Sequence, residues 1–160
     1  RNPKVKCMVS LTHGEGFGLP LFEAAYNGVP IIAPNWSGHV DFLKAPKKVK
    51  KNKKTTTKTV PCFATVEYEL KPVMSESVWE NVIDADSQWC YAKKNSYKTR
   101  LREVYKDINR FNGMAKTLKT HLKNTFTAES KYAEFCDAVH KEEKFDVEDW
   151  LSSLDVETHD

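Results

Sequence analysis

Two glutamates, Glu15 and Glu23, stand eight residues apart on either side of a glycine-rich segment, and no other residues of the chain are better placed to bind a ligand. A carboxylate accepts hydrogen bonds from two neighbouring hydroxyl groups, such as those of a ribose or a sugar ring. Backbone N–H groups at the start of a helix bind anions such as phosphate. Carboxylates on both sides of such amides therefore suit a molecule that carries hydroxyls and phosphates together, as a sugar nucleotide does.

The glutamates lie in a pattern of strand, turn, helix and strand. Apolar residues predict one strand over residues 5–11 and another over 29–33, with a helix over 19–27 between them. This order places Glu15 at the carboxyl end of a strand, where open α/β sheets bind their ligands. It places Glu23 about one turn into the helix. We therefore predict an α/β fold with a ligand site at this edge.

The remainder of the chain adds one further strand and then helices. Residues 60–70 have a strand-like pattern, the chain is helical from residue 97, and Thr127 is suited to cap a third helix. About three strands in 160 residues are fewer than a doubly wound sheet normally has. We therefore expect the chain to be a fragment that lacks preceding strands. We also expect its exposed sheet edge to favour self-association.

Composition excludes several classes of protein. The length of 160 residues suits one domain, and 40% apolar residues suit a globular one. No apolar run reaches the roughly 18 residues of a membrane-spanning helix. The four cysteines are dispersed, without C-x2-C spacing, which disfavours a zinc site and fits reduced thiols in the cytoplasm.

Charge is distributed unevenly along the chain. Residues 44–58 hold eight lysines and no acidic residue, whereas residues 142–160 hold eight acidic residues and one lysine. We expect residues 44–58 to form an insertion loop. An alternative function is a non-catalytic binding module that recruits a protein or a polyanion through this lysine-rich segment. The segment has no arginine and no aromatic residue to read or stack on bases, which disfavours a nucleic-acid partner.

Residues 15–33, E-G-F-G-L-P-L-F-E-A-A-Y-N-G-V-P-I-I-A, resemble the E-x7-E segment of retaining GT-B glycosyltransferases of the family 4-like group. The following loop resembles that group less closely, with Ser37-Gly38 in place of two glycines. The resemblance implies a Rossmann-like, three-layer sandwich that forms part of the C-terminal half of a GT-B enzyme, with a helical C-terminal part. Residues 1–141 would be this partial donor-binding domain, and residues 142–160 an acidic tail.

The resemblance also implies a role for each position of the motif. Glu15 would act at the catalytic centre by contacting hydroxyls of the donor sugar, and Glu23 would bind the ribose hydroxyls. The backbone amides of the glycine-rich turn would face the sugar and the diphosphate. The expected substrate-binding residues beside the glutamates are His13, Gly16, Phe17, Gly18 and Leu19.

The activity implied by the resemblance is transfer of a hexose from a UDP- or GDP-hexose donor to an acceptor, with retention of configuration. The acceptor is a glycan, a lipid or a protein. The group usually needs no bound metal or other cofactor, because helix dipoles and basic side chains balance the diphosphate. The acceptor domain and the first part of the donor domain are absent, so we expect little turnover from this chain alone.

A purely structural interpretation of the same residues stays open. Glu15 and Glu23 also fit a surface turn followed by an amphipathic helix, since glutamate is common in the first turn of helices. Gly16 and Gly18 also fit a backbone that needs positive φ angles or close packing. Gly28 is predicted to be the C-terminal cap of the helix. His13 also fits a loop histidine without a ligand.

Overall fold

A computed structural model of the chain describes residues 2–51 and 54–140. Four α-helices in this part are α1 Leu19–Tyr26, α2 Lys94–Lys106, α3 Ile108–Thr125 and α4 Ala128–Val139. The strands are β1 Met8–Val9, β2 Ile31–Pro34, β3 Lys44–Lys51, β4 Lys54–Pro61, β5 Ala64–Val66, β6 Tyr68–Pro72 and β7 Gln88–Ala92. No helix among these residues is long and apolar enough to cross a membrane.

The chain divides into two compact units, residues 1–125 and residues 126–160. The described part of the second unit is α4 with its N-terminal cap. The Thr127 hydroxyl accepts a hydrogen bond from the Ser130 N–H, and the Ser130 hydroxyl accepts one from the Thr127 N–H. The predicted cap at Thr127 is therefore confirmed. The predicted acidic tail, residues 142–160, lies outside the described residues.

The first unit is built on a parallel sheet with strand order β1-β2-β5. Met8 lies opposite Ile31, and Ile32 lies opposite Ala64. Parallel neighbours need a crossover connection, and α1 provides it between β1 and β2. The predicted α/β alternation around Glu15 is confirmed, whereas the three-layer arrangement stays a prediction.

The predicted extent of two strands is wrong. Of the strand expected over residues 5–11, only Met8–Val9 forms a strand, and the Val5 N–H bonds instead to the carbonyl of Asn2 in a turn. The single run expected over residues 60–70 is divided among β4, β5 and β6. The Cys62 N–H bonds to the Leu43 carbonyl, so the chain leaves the hairpin before it joins the parallel sheet.

Two antiparallel hairpins accompany this sheet: β3 and β4 lie between β2 and β5 in the sequence, and β6 and β7 follow β5. β3 pairs with β4 from Lys44 opposite Pro61 to Lys51 opposite Lys54, and β6 pairs with β7. The insertion loop predicted over residues 44–58 is therefore wrong: residues 44–51 and 54–61 pair as a hairpin, which we call the basic ribbon. The sequence does not predict these two strands, because lysine and threonine occupy both faces and no apolar residues recur with the period of a strand.

Helix packing completes the core of the first unit. β2 is buried along its length, and Ile32 clusters with Val104 of α2 and Phe111 of α3. The helical pattern expected to run on from residue 97 is divided at Asp107, whose carboxylate accepts a hydrogen bond from the Arg110 N–H and so caps α3. The main buried side chains of α3 are Phe111, Ala115, Leu118 and Leu122.

Candidate functional site

The three parallel strands point in one direction, so the segments that follow them meet at one edge of the sheet. These segments are residues 10–18 after β1, residues 35–40 after β2 and residue 67 after β5. In open α/β folds this carboxyl edge is where ligands bind. Glu15 and the glycine-rich turn of the predicted motif therefore lie at this edge.

The glycine-rich turn delivers an open helix terminus to this edge. Gly18 precedes α1 with φ of 85°, and a proline follows in the first turn of the helix. No side chain caps this end of α1. Among the described residues, nothing accepts a hydrogen bond from the backbone N–H groups of residues 16–19. These donors and the positive end of the helix dipole are therefore available to an anion.

The other end of α1 is closed by its own backbone. Gly28 has φ of 71°, its N–H bonds to the Ala25 carbonyl at 2.9 Å, and the Val29 N–H bonds to the Ala24 carbonyl at 2.9 Å. This pair of bonds is a Schellman motif, which requires a left-handed residue at the position of Gly28. The predicted C-terminal cap is confirmed, and α1 is fixed in length.

The loop after β2 holds the backbone of Glu15. The Ser37 Oγ accepts a hydrogen bond from the Glu15 N–H at 2.8 Å and donates one to the Glu15 carbonyl at 2.7 Å. The Gly38 N–H donates to the same carbonyl at 3.1 Å. A Cβ atom on Gly38 would overlap with the carbonyl oxygen of Gly16, so only glycine permits this approach.

Ser37 is strained. Its φ of 75° and ψ of −176° lie in a region that is essentially confined to glycine, at a cost of about 1–3 kcal/mol for other residues. The two hydrogen bonds from its hydroxyl to Glu15 oppose that cost. Strain of this kind persists where the surrounding structure enforces it, and it is concentrated at functional sites.

The side chain of Glu15 is half-buried and held on one side. The Thr12 hydroxyl donates to the Glu15 Oε1 at 2.9 Å, and the Ser10 and Thr12 hydroxyls lie 3.3 Å apart. The Glu15 Oε2 bonds to none of the described residues. One carboxylate oxygen is thus oriented by the protein, while the other remains available to a ligand hydroxyl.

Glu23 is the fifth residue of α1, one turn into the helix as predicted. Its side chain is exposed, and it forms no hydrogen bond or ion pair with the residues that the structure describes. Its role as a ribose ligand stays a prediction, as does the role of Glu15.

Two apolar side chains of the motif are also exposed. Phe17 and Leu19 are 46% and 58% accessible. The Phe17 ring lies 5.0 Å from that of Phe42 and 5.4 Å from that of Phe22, measured between centroids. Phe17 therefore presents a supported aromatic face beside the open amides.

His13 is tied to β7. Its ring stacks on Trp89 with centroids 4.9 Å apart, and its Nδ1 lies 2.8 Å from the Cys90 carbonyl oxygen. Because a carbonyl only accepts, Nδ1 carries the proton in this bond, and Nε2 of the neutral ring is an acceptor. These contacts give His13 a packing role beside its predicted place in the cleft.

Sequence reasoning missed the side chains that position the motif. Besides Ser37 and Thr12, it missed His39, which is 2% exposed with Nε2 2.8 Å from the Pro34 carbonyl oxygen and Nδ1 unpaired within the described chain. A Cβ on Gly18 would lie 2.9 Å from the Cβ of His39. The one available signal was Ser37-Gly38 itself, at a place where glycines are usual in the resembling group.

A second opening lies at the same edge, where β2 and β5 end. It is a cavity of about 390 Å³, lined by Asn35, Tyr68, Lys93 and Arg100 among others. The Arg100 guanidinium donates to the Thr65 carbonyl at 2.9 Å and pairs with Glu103 at 2.7 Å, so it is committed to the fold. Lys93 is the lining cation without such a pair among the described residues.

Other reactive groups offer no competing centre. In the part of the chain that is described, no three His, Cys, Asp or Glu side chains are grouped so as to hold a metal ion. Burial raises the pKa of the Cys7 thiol to about 11, which keeps it protonated and unreactive at neutral pH.

A parallel α/β sheet with an open glycine turn and two carboxylates near its carboxyl edge is the type of domain on which many glycosyltransferases are built. Comparison with protein families agrees with this class. The family described as "Family 4 Glycosyltransferase in conflict systems" matches residues 3–135, and the chain belongs to that family. No curated protein and no solved structure matches the chain.

Proposed function

We propose that this chain is the nucleotide-sugar-binding part of a retaining GT-B hexosyltransferase that uses a donor such as UDP- or GDP-hexose. The observation that supports this proposal most directly is the set of open backbone N–H groups at residues 16–19, with an oriented carboxylate on Glu15 beside them. The family membership supports the general activity of glycosyl transfer.

Each group in the motif has a proposed part in binding the donor. The amides of residues 16–19 and the helix dipole of α1 bind the diphosphate and balance its charge as it leaves. Glu15 accepts hydrogen bonds from hydroxyls of the hexose, and Glu23 accepts them from the ribose. No resident metal or other cofactor is needed in this scheme.

The acceptor is a glycan, a lipid or a protein, and its binding site belongs to a part of the enzyme outside this domain. We therefore expect this chain to bind the donor in the cytoplasm but to transfer little sugar alone. The cavity beside Lys93 lies at the same edge and is large enough to receive part of a ligand that extends past the motif.

Calorimetric titration with UDP, GDP and ADP, and with their glucose and mannose conjugates, tests the proposal. Glu23→Ala removes a charged acceptor of ribose hydrogen bonds, each worth about 1.5–3 kcal/mol, so we expect binding to weaken by tenfold or more. The loss should be the same with and without the hexose. Glu15→Gln should weaken only the conjugates and leave the free nucleotides unchanged.

A matched control and a modified ligand make this test specific. Glu80→Ala changes an exposed glutamate far along the sequence and should leave every affinity unchanged. A 2′-deoxynucleotide should bind weakly to the original chain and should be almost insensitive to Glu23→Ala. Absence of binding by all the nucleotides, or equal losses with Glu80→Ala, would contradict the proposed donor site.

We also propose that the chain self-associates through its parallel sheet. β1 and β5 form the two edges of that sheet, and an unpaired edge is a template for another strand. Light scattering coupled to gel filtration should show a mass that rises with concentration. A monomer at every concentration would count against this arrangement.

A further inference from the structure

One surface of the first unit carries charge that the donor site does not use. β3, β4 and α3 together contain ten lysines and one arginine but no acidic residue. Other helices mix the two signs, since α2 contains Glu103 and α4 begins near Glu129. We call the basic ribbon together with α3 the basic surface.

The ribbon places like charges opposite one another. Lys47 lies directly across from Lys58, and Lys48 lies across from Thr57 on the other face. All four are exposed, and none of these lysines forms an ion pair with the residues that the structure describes. Like charges directly opposite destabilise a strand pair, so an anion beside Lys47 and Lys58 would relieve the repulsion.

The charge continues from the ribbon onto α3. Ala45 of the ribbon is buried, and a cavity of about 430 Å³ lies between the ribbon base and α3. Its lining includes Lys116, His121 and Asn124, all of which can offer N–H donors. The basic surface therefore extends across two elements that pack on each other.

We propose that the basic surface binds the phosphate backbone of a nucleic acid, independently of the donor site. Lysine and threonine, which dominate the ribbon, are typical donors to phosphate oxygens. The ribbon lacks arginine and aromatic residues, which often read or stack on bases, but backbone binding needs neither because it is electrostatic and independent of sequence. The expectation that disfavoured a nucleic acid rested on the lack of arginine and aromatic residues, whereas a two-stranded ribbon fits the major groove of B-DNA and needs neither residue type to contact phosphates.

Other polyanions fit this surface less well. Protein–protein interfaces are depleted in lysine and enriched in aromatic residues, whereas the exposed ribbon is rich in lysine. Firm attachment to a membrane takes apolar insertion or a lipid anchor in addition to basic residues. The described part of the ribbon presents no aromatic or leucine side chain for that purpose.

Fluorescence anisotropy on the full chain tests the proposal, with a labelled 24-base-pair DNA duplex and an RNA duplex of the same sequence as probes. The variant Lys47→Glu/Lys48→Glu/Lys58→Glu should weaken binding by more than tenfold at 0.1 M salt. The slope of log affinity against log salt should become shallower by about 2–3, because each phosphate contact contributes about 0.9. Lys47→Arg/Lys48→Arg/Lys58→Arg should retain binding.

The matched control is Lys94→Glu/Lys98→Glu/Arg102→Glu, which makes the same charge change on exposed positions of α2. The loss of binding free energy in this α2 variant should be at most half of the loss in the ribbon variant. Polyglutamate and phosphatidylserine vesicles serve as competing anions.

The proposal is overturned if neither duplex binds, if the α2 variant loses as much affinity as the ribbon variant, or if polyglutamate or vesicles bind more tightly than both duplexes. A thermal melt by circular dichroism establishes that each variant is folded. If the Glu variant is not, Lys47→Gln/Lys48→Gln/Lys58→Gln removes the three charges without reversing them and should also weaken binding, and unchanged binding by this variant would overturn the proposal.

Discussion

The glycine turn with its supporting loop and the basic ribbon are the two regions proposed to bind anions, and they are built in opposite ways. In the turn, Ser37 and Gly38 lie so close to the backbone of Glu15 and Gly16 that one added carbon atom on Gly38 would overlap with it. In the ribbon, Lys47, Lys48 and Lys58 are exposed on a regular hairpin. The first region should therefore respond steeply to small substitutions, whereas the second should respond weakly in stability and mainly in charge.

The largest effect is expected at Gly38. Gly38→Ala would place a methyl group onto the carbonyl oxygen of Gly16, and backbone atoms on both sides cannot yield cheaply. We expect a loss of about 3–5 kcal/mol in the free energy of unfolding, measured by urea denaturation. Gly16→Ala is the control, since a Cβ there meets nothing within 4 Å. Equal losses for both substitutions would show that the close approach is not what makes the turn sensitive.

An intermediate effect is expected at Ser37. Ser37→Ala keeps the unfavourable φ but removes both hydrogen bonds to Glu15, and we expect it to cost about 2–3 kcal/mol. Ser37→Gly also loses the bonds but relieves the strain, so it should cost about 1 kcal/mol or less. Urea denaturation of the pair measures the difference. If alanine is tolerated as well as glycine, the backbone at this position is not strained.

The smallest effect is expected on the ribbon. Lys47→Thr removes the repulsion with Lys58, so we expect stability to rise by at most about 0.5 kcal/mol at low salt. The gain should shrink in 1 M salt, because exposed charges are screened there. Lys48→Thr, which already faces a threonine, is the control and should change stability less. Urea denaturation at both salt concentrations measures these changes. If Lys47→Thr and Lys48→Thr change stability equally, repulsion between Lys47 and Lys58 is not the cause.

The sequence predicted α1 and β2 because local signals there agree with the final structure. Pro20 suits the first turn, and Gly28 supplies the left-handed residue that a Schellman cap requires. The buried run that becomes β2 needs no partner to be recognised as a strand. The position of Glu23 one turn into the helix follows from these signals alone.

Other parts of the structure depend on residues that meet only after folding. Ser37 reaches Glu15 across 22 positions of sequence, and no local pattern announces that contact. The ribbon is rich in lysine and threonine on both faces, so it has the pairing of strands without their apolar period. Val5 belongs to an apolar run, yet it is 47% exposed, because the pairing of β1 with β2 covers only Met8 and Val9.

The hydrogen bond between the Leu43 carbonyl and the Cys62 N–H, 2.9 Å long, closes the base of the ribbon. The chain therefore leaves and re-enters the α/β framework at almost one point, and beyond the buried Ala45 the exposed part of the ribbon is an appendage. Lengthening or trimming such an appendage leaves the span that must be closed between β2 and β5 unchanged. The length and charge of the distal part of the ribbon can therefore change without rebuilding the fold around the glycine turn.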